Sequence, residues 1–133
     1  MRASRAALGY GLCLARTFMS LPHATSGDLI NIAPLGDKFE GQVSHAFLKT
    51  EHVELMRLVL PAGKSMPDHW VEGEVTLQCL EGAFELEAHG KRQTVRAGEM
   101  VYLGPKVPHA LHARENTSVL MTVLLNQRNS TQP

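Results

Sequence analysis

The sequence predicts an all-β sandwich or barrel, on three observations. Short runs of alternating apolar and polar residues follow one another from Leu29 onward, Gly and Pro punctuate the gaps between them, and no segment sustains a helical period. A chain of 133 residues has room for one such core and too little for two.

Residues 29–35 are expected as the first strand, closed by Gly36-Asp37. Over residues 43–49, Val43, His45 and Phe47 alternate with their neighbours as strand residues do. The next strand covers 54–60 and stops at Pro61-Ala62-Gly63; another covers 75–80 and ends at Glu81-Gly82. Phe84, Leu86 and Ala88 alternate with Glu85 and Glu87, His89-Gly90-Lys91 supplies a hairpin turn, and 93–96 return to a corner at Ala97-Gly98. The apolar run 100–103 is broken by Gly104-Pro105 and again by Pro108. Strands over 109–114 and 118–125, joined by a turn at Glu115-Asn116, complete the set, and the polar tail 126–133 is expected to fray.

Thirteen basic residues balance thirteen acidic ones, and no basic stripe is interleaved with aromatics. That argues against nucleic acid and against an anionic membrane surface as partners. The two cysteines, Cys13 and Cys79, form neither a CxxC pair nor a zinc spacing. Cys79 lies in an alternating apolar run, where a buried inert thiol is the default. Nothing points to an oxidising compartment, so a cytoplasmic setting is expected. At the start of the chain, Arg2 and Arg5 precede the apolar run 6–15 as in an export signal. Arg16 closes that run, no small-x-small cleavage site follows, and it is too short to span a bilayer. Residues 1–28 are therefore expected to be a disordered or dispensable extension, with Met19 as an alternative start, ahead of one domain over 29–125.

Two blocks carry a family resemblance. In Pro61-Ala62-Gly63-Lys64-Ser65-Met66-Pro67-Asp68-His69, a Gly is followed six residues later by His, and the block runs on to Glu81-Gly82. From Gly98 through Tyr102-Leu103-Gly104-Pro105 to Pro108-His109, a Gly and a proline-containing turn end at a second His. Together they resemble the first and second motifs of the cupins, of the small single-domain, RmlC-like kind. Gly63, His69, Gly82, Gly98 and His109 fall on the pattern, with the proline displaced to Pro105 and Lys106 where a Gly is usual. The blocks span residues 63–109, and the flanking strands extend the likeness to most of the chain after Leu29. The resemblance implies a double-stranded β-helix, or jelly-roll, barrel with His69 and His109 at its mouth.

It also implies a site for a divalent metal (Fe, Mn, Ni or Zn) held by two His of an HxH pair, a Glu and a third His. Imidazole and carboxylate donors suit those ions. Here the second His is replaced by Val71 and the Glu by Val75. Glu74 is a neighbouring carboxylate, but strand parity sends it away from the face of Val75 unless a bulge near Gly73 re-aims it. What remains is His69 and His109, with Val71, Val75, Leu77 and Cys79 expected to line the same interior.

Three readings follow: a small-molecule pocket in which the two His are polar anchors, with a degenerate metal site; a metal-dependent enzyme of dioxygenase or isomerase type using His69 and His109 as ligands; and a scaffold whose His are only hydrogen-bonded barrel residues. Fold alone does not choose among them. His112 is expected on the opposite face from His109, His89 in a solvated turn, His45 and His52 as strand residues outside the site, and Trp70 at a rim or interface. Ser65 lacks a GxSxG elbow, and no phosphate-binding loop occurs. A homodimer is expected, because a small barrel has edge strands to cover, with residues 29–35 as the candidate contact.

Overall fold

The computed structural model describes residues 23–125. The expectations for residues 1–22, including Cys13 and Met19, and for the tail 126–133 lie outside the described residues. Nine strands form the domain: β1 (His45–Lys49), β2 (Val53–Leu60), β3 (Ser65–His69), β4 (Val75–Glu81), β5 (Ala83–Ala88), β6 (Lys91–Arg96), β7 (Met100–Leu103), β8 (His109–Ala113) and β9 (Thr117–Leu124). They make two antiparallel sheets, ordered β1-β2-β9-β4-β7 and β3-β8-β5-β6. The inner faces enclose one apolar core, as in a jelly-roll barrel, built from alternate residues of each strand. Leu77, Phe84 and Val119 are wholly buried within it.

The register explains which side chains share the interior. In the five-stranded sheet, Met56, Met121, Leu77 and Val101 form one cross-sheet row, and Val123, Val75 and Leu103 the next. In the four-stranded sheet, Met66, Leu111 and Leu86 form one row, and His69, His109 and Ala88 the next. Both rows nearest the 104–108 loop lie at the same end, which is the barrel mouth.

Turn chemistry follows the sequence closely. The hairpin between β5 and β6 closes through His89 and Gly90, both at positive φ (55° and 73°), the geometry of a type I′ turn. Lys106 also adopts a left-handed conformation, with φ 60°, at the position where the cupin pattern places a Gly. Its amide donates to the Val71 carbonyl at 2.8 Å and ties the mouth loop to the end of β3.

Two expectations fail here. Residues 29–35 are not a strand: Pro34 has no N–H to donate, and the neighbouring backbone groups are used by side chains. The Arg57 guanidinium donates to the Asn31 and Ala33 carbonyls at 3.3 and 3.0 Å, and the Leu35 amide donates to Glu81 at 2.8 Å. Conversely, Ser65–His69 is a strand that alternation does not announce. It contains Pro67, which is tolerated because β3 is a sheet edge.

Candidate functional site at the barrel mouth

His69 reaches the interior through a local irregularity. Between Met66, opposite Leu111, and His69, opposite His109, β3 spends three residues where β8 spends two. That extra residue is a β-bulge, and it puts His69 on the same face as Met66. In a regular strand the two would point to opposite faces.

The two imidazoles then lie side by side, with ring centroids 4.5 Å apart and planes tilted by 53°. Each is oriented by the chain just before it. Nδ1 of His69 is 3.0 Å from the Pro67 carbonyl, and Nδ1 of His109 is 2.9 Å from the Val107 carbonyl. A carbonyl only accepts, so Nδ1 carries the proton and donates. In the neutral ring Nε2 is then the lone-pair nitrogen, open to a hydrogen-bond donor or a metal. His109 is 2% exposed, and burial pushes its pKa below the ordinary value; the neighbouring His69 acts the same way, against the Val107 carbonyl and Asp68.

Val71 is half-buried and packs on the core. Val75, Leu77 and Cys79 are all buried, at 2%, 0% and 1% exposure, on the interior face of β4. Val75 stands in the mouth row, whereas Leu77 and Cys79 lie deeper, beneath packed side chains. The Cys79 thiol is pushed up to about 11, chiefly by burial, and donates to the Glu81 carbonyl at 3.4 Å. At that pKa it holds its proton and is no nucleophile.

Glu74 is not brought to the histidines: its carboxylate accepts the Tyr102 hydroxyl at 2.5 Å, off the interior face. Among the described residues, no third His, Cys, Asp or Glu joins the pair to make a metal-holding group. The donors present therefore do not amount to the quartet that the resemblance implies. Ser65 pairs with neither of them. Its hydroxyl is 2.6 Å from Nδ1 of His112, on the outer face. Trp70 is half exposed.

With this geometry in place, comparison with known proteins is decisive for the family. A cupin domain model matches residues 56–125. The chain belongs to the cupin domain family. No curated protein matches it. Among solved structures, this cupin is similar to a conserved protein of unknown function from Streptococcus pyogenes, at 18% identity, with a TM-score of 0.65 over 80% of this chain and 97% of that one. It is similar to a cupin superfamily protein from Desulfitobacterium hafniense, at 14% identity and TM-score 0.65, over 81% and 99%. An RmlC-like cupin from Desulfovibrio desulfuricans gives 24% identity and TM-score 0.58, over 77% and 97%. At these identities the likeness establishes the fold.

Three features of this cupin are not announced by its sequence. The register places Glu54 opposite Val123, on the face of the mouth row. It also places Lys91 opposite Ala88, extending the histidine row to β6. Neither residue belongs to a motif, and only strand pairing could have revealed them. The third unforeseen feature is the cluster of Arg57, Glu81 and Ser118 on the outer face of the five-stranded sheet.

Proposed function

We propose that this cupin binds a small polar molecule at its barrel mouth, with His69 and His109 as the anchoring groups. The observation that carries the reading is the pair itself: two adjacent rings whose Nδ1 atoms are committed to backbone carbonyls, leaving both Nε2 atoms to accept. Val71 and Val75 provide an apolar surround, and Leu77 and Cys79 form the floor beneath it. An apolar lining with a few convergent polar groups is the usual make-up of a small-molecule pocket. A cytoplasmic setting and a homodimer that covers the exposed sheet edges belong to the same proposal; a monomeric mass by light scattering would reject the dimer.

The same two lone pairs favour a second reading, a metal-dependent enzyme of dioxygenase or isomerase type with Fe, Mn, Ni or Zn on His69 and His109. Water would have to supply the rest of the shell, which makes for a weak site. Metal analysis after incubation with each ion, run beside an NMR screen of polar small molecules, separates the two. The pocket reading expects binding to metal-free protein that moves the His69 and His109 ring signals and disappears in His69→Ala and His109→Ala. Near-stoichiometric metal lost in both variants would replace it with the enzyme reading. Binding indifferent to both substitutions would overturn the mouth as the site.

A further inference from the structure

The histidine row does not end at β8. His69 pairs with His109, His109 with Ala88, and Ala88 with Lys91, so one cross-sheet row runs over β3, β8, β5 and β6. Directly paired antiparallel residues share a face, so the row carries its four side chains on the barrel's inner side. Adjacent strands are about 4.8 Å apart, which puts Lys91 roughly 10 Å from His109 at the backbone, a distance its flexible side chain can shorten. Ala88, with the smallest side chain of the row, is the residue between them. A cavity of about 650 Å³ opens beside Lys91, lined by the turn residues His89 and Gly90, by Ala88, by the paired Glu87 and Arg92, and by Asp68 and Pro108, the residues just before His69 and His109.

Lys91 is also electrostatically unspent. Among the described residues it makes no ion pair, whereas its neighbour Arg92 holds Glu87, Arg114 holds Glu85 at 2.8 Å, and Lys106 stands 3.9 Å from Glu72. Apart from Arg92, which lines the same cavity and is paired with Glu87, the polar groups near Lys91 are acceptors: the two Nε2 atoms, Asp68 in the cavity wall, and Glu54 on the face of Val75.

We infer that the molecule bound at the mouth is a short hydroxylated monocarboxylic acid, its carboxylate on Lys91 and its hydroxyl groups donating to His69 and His109. The inference rests on the mouth being a small-molecule site, and it adds the ligand's class. Arg92 is already held by Glu87, so Lys91 is the cavity cation left to recruit a carboxylate, and it recruits one. A second carboxylate would meet Asp68 or Glu54 and be repelled. A hydroxyl supplies the donor that two acceptor nitrogens require, and a ligand without one leaves them unpaired.

Gluconate is the probe, titrated into the full-length protein by calorimetry and NMR, with sorbitol (hydroxyls, no carboxylate) and hexanoate (carboxylate, no hydroxyls) beside it. Gluconate is expected to bind more tightly than either. Lys91→Met should weaken gluconate about tenfold or more, the loss of one charge-assisted contact, while leaving sorbitol unchanged; Lys91→Arg should restore most of the affinity. Lys91 lies in an exposed stretch of an edge strand, so the variants are expected to fold. Gluconate binding that needs His69 and His109 but ignores Lys91→Met overturns the inference and spares the mouth site. Sorbitol binding as tightly as gluconate does the same. No binding of gluconate also overturns it, and the broader screen then decides the mouth site on its own.

Discussion

At His109, position in the row and burial act together. The ring lies almost wholly inside the barrel beside a second imidazole, and its protonated form would lose hydration and face a like charge. Its pKa is therefore depressed in the folded chain. A depressed base stays neutral in the fold at pH values where the unfolded chain has already bound a proton. Stability from this group is thus full above the ordinary value of 6.5 and is lost as pH falls from there through the folded value. One proton limits the slope to about 1.4 kcal/mol per pH unit. Urea midpoints of the wild type should fall between pH 7.5 and 5.5, and those of His109→Gln should stay level over the same range. Glu81 does not confuse the comparison. Burial raises its carboxyl, but the Ser118 hydroxyl, the Leu35 and Gly36 amides and Arg57 together hold it below the ordinary 4.5, so its effect comes at lower pH. A wild-type midpoint unchanged across the window would refute the assignment.

At the scale of elements, bulges and glycines decide what alternation alone cannot. Between Cys79, opposite Val119, and Glu81, opposite Ser118, β4 carries an extra residue. This second bulge turns Glu81 out of the core face that its two-residue spacing from Cys79 would impose. The chain then turns at Gly82, with φ 79°, pressed against the β8–β9 connection: a Cβ here would collide with the Asn116 carbonyl and come within 2.7 Å of the Thr117 hydroxyl. Gly63 has a similar φ of 86° but open space around it. Gly63→Ala should therefore cost only the left-handed backbone, about 1 kcal/mol, and Gly82→Ala about 3 kcal/mol or more, because backbone must move as well. Equal losses in denaturant unfolding would show that crowding at Gly82 is relieved cheaply. The contrast explains how much of the molecule was legible in sequence. Strands with clean alternation and turn signals, β2, β4 and the β5–β6 hairpin among them, could be read directly, because pleat and burial impose the pattern. The histidines were legible through their spacing from Gly63 and Gly98. Hidden were β3, whose Pro-containing edge strand and bulge break the period; residues 29–35, whose polar backbone groups bond to side chains instead of a ladder; and Lys91 and Glu54, which only cross-strand register brings to the mouth.

At the scale of the whole molecule, the outer face of the five-stranded sheet is closed by a polar clasp. Arg57 is buried on that face, donates to the Ser118 hydroxyl at 3.3 Å and to the Asn31 and Ala33 carbonyls, and lies 5.7 Å from the centre of the Phe47 ring. Ser118 in turn donates to Glu81 at 2.6 Å, and Glu81 also accepts from the amides of Leu35 and Gly36. One cation and one anion, bridged by a hydroxyl, thus bind residues 31–36 to the barrel wall. The two charges differ in what they leave behind when the other is removed. Without Arg57, Glu81 keeps three hydrogen-bond donors. Without Glu81, the Arg57 charge stays buried with neutral acceptors only, and two amides lose their partner. Glu81→Ala should accordingly cost about 2 kcal/mol, the loss of a charged acceptor that leaves two amides and the Arg57 charge without their partner, and Arg57→Met should cost less. Removing both charges together, in Arg57→Met with Glu81→Ala, should cost less than the sum of the single changes, since neither charge is then stranded. Hydrogen exchange adds a local readout: the Leu35 and Gly36 amides should lose protection in Glu81→Ala while the amides of β9 keep theirs. Additive losses in the double variant, or protection of Leu35 and Gly36 that survives Glu81→Ala, would show that residues 31–36 are held by something other than this clasp.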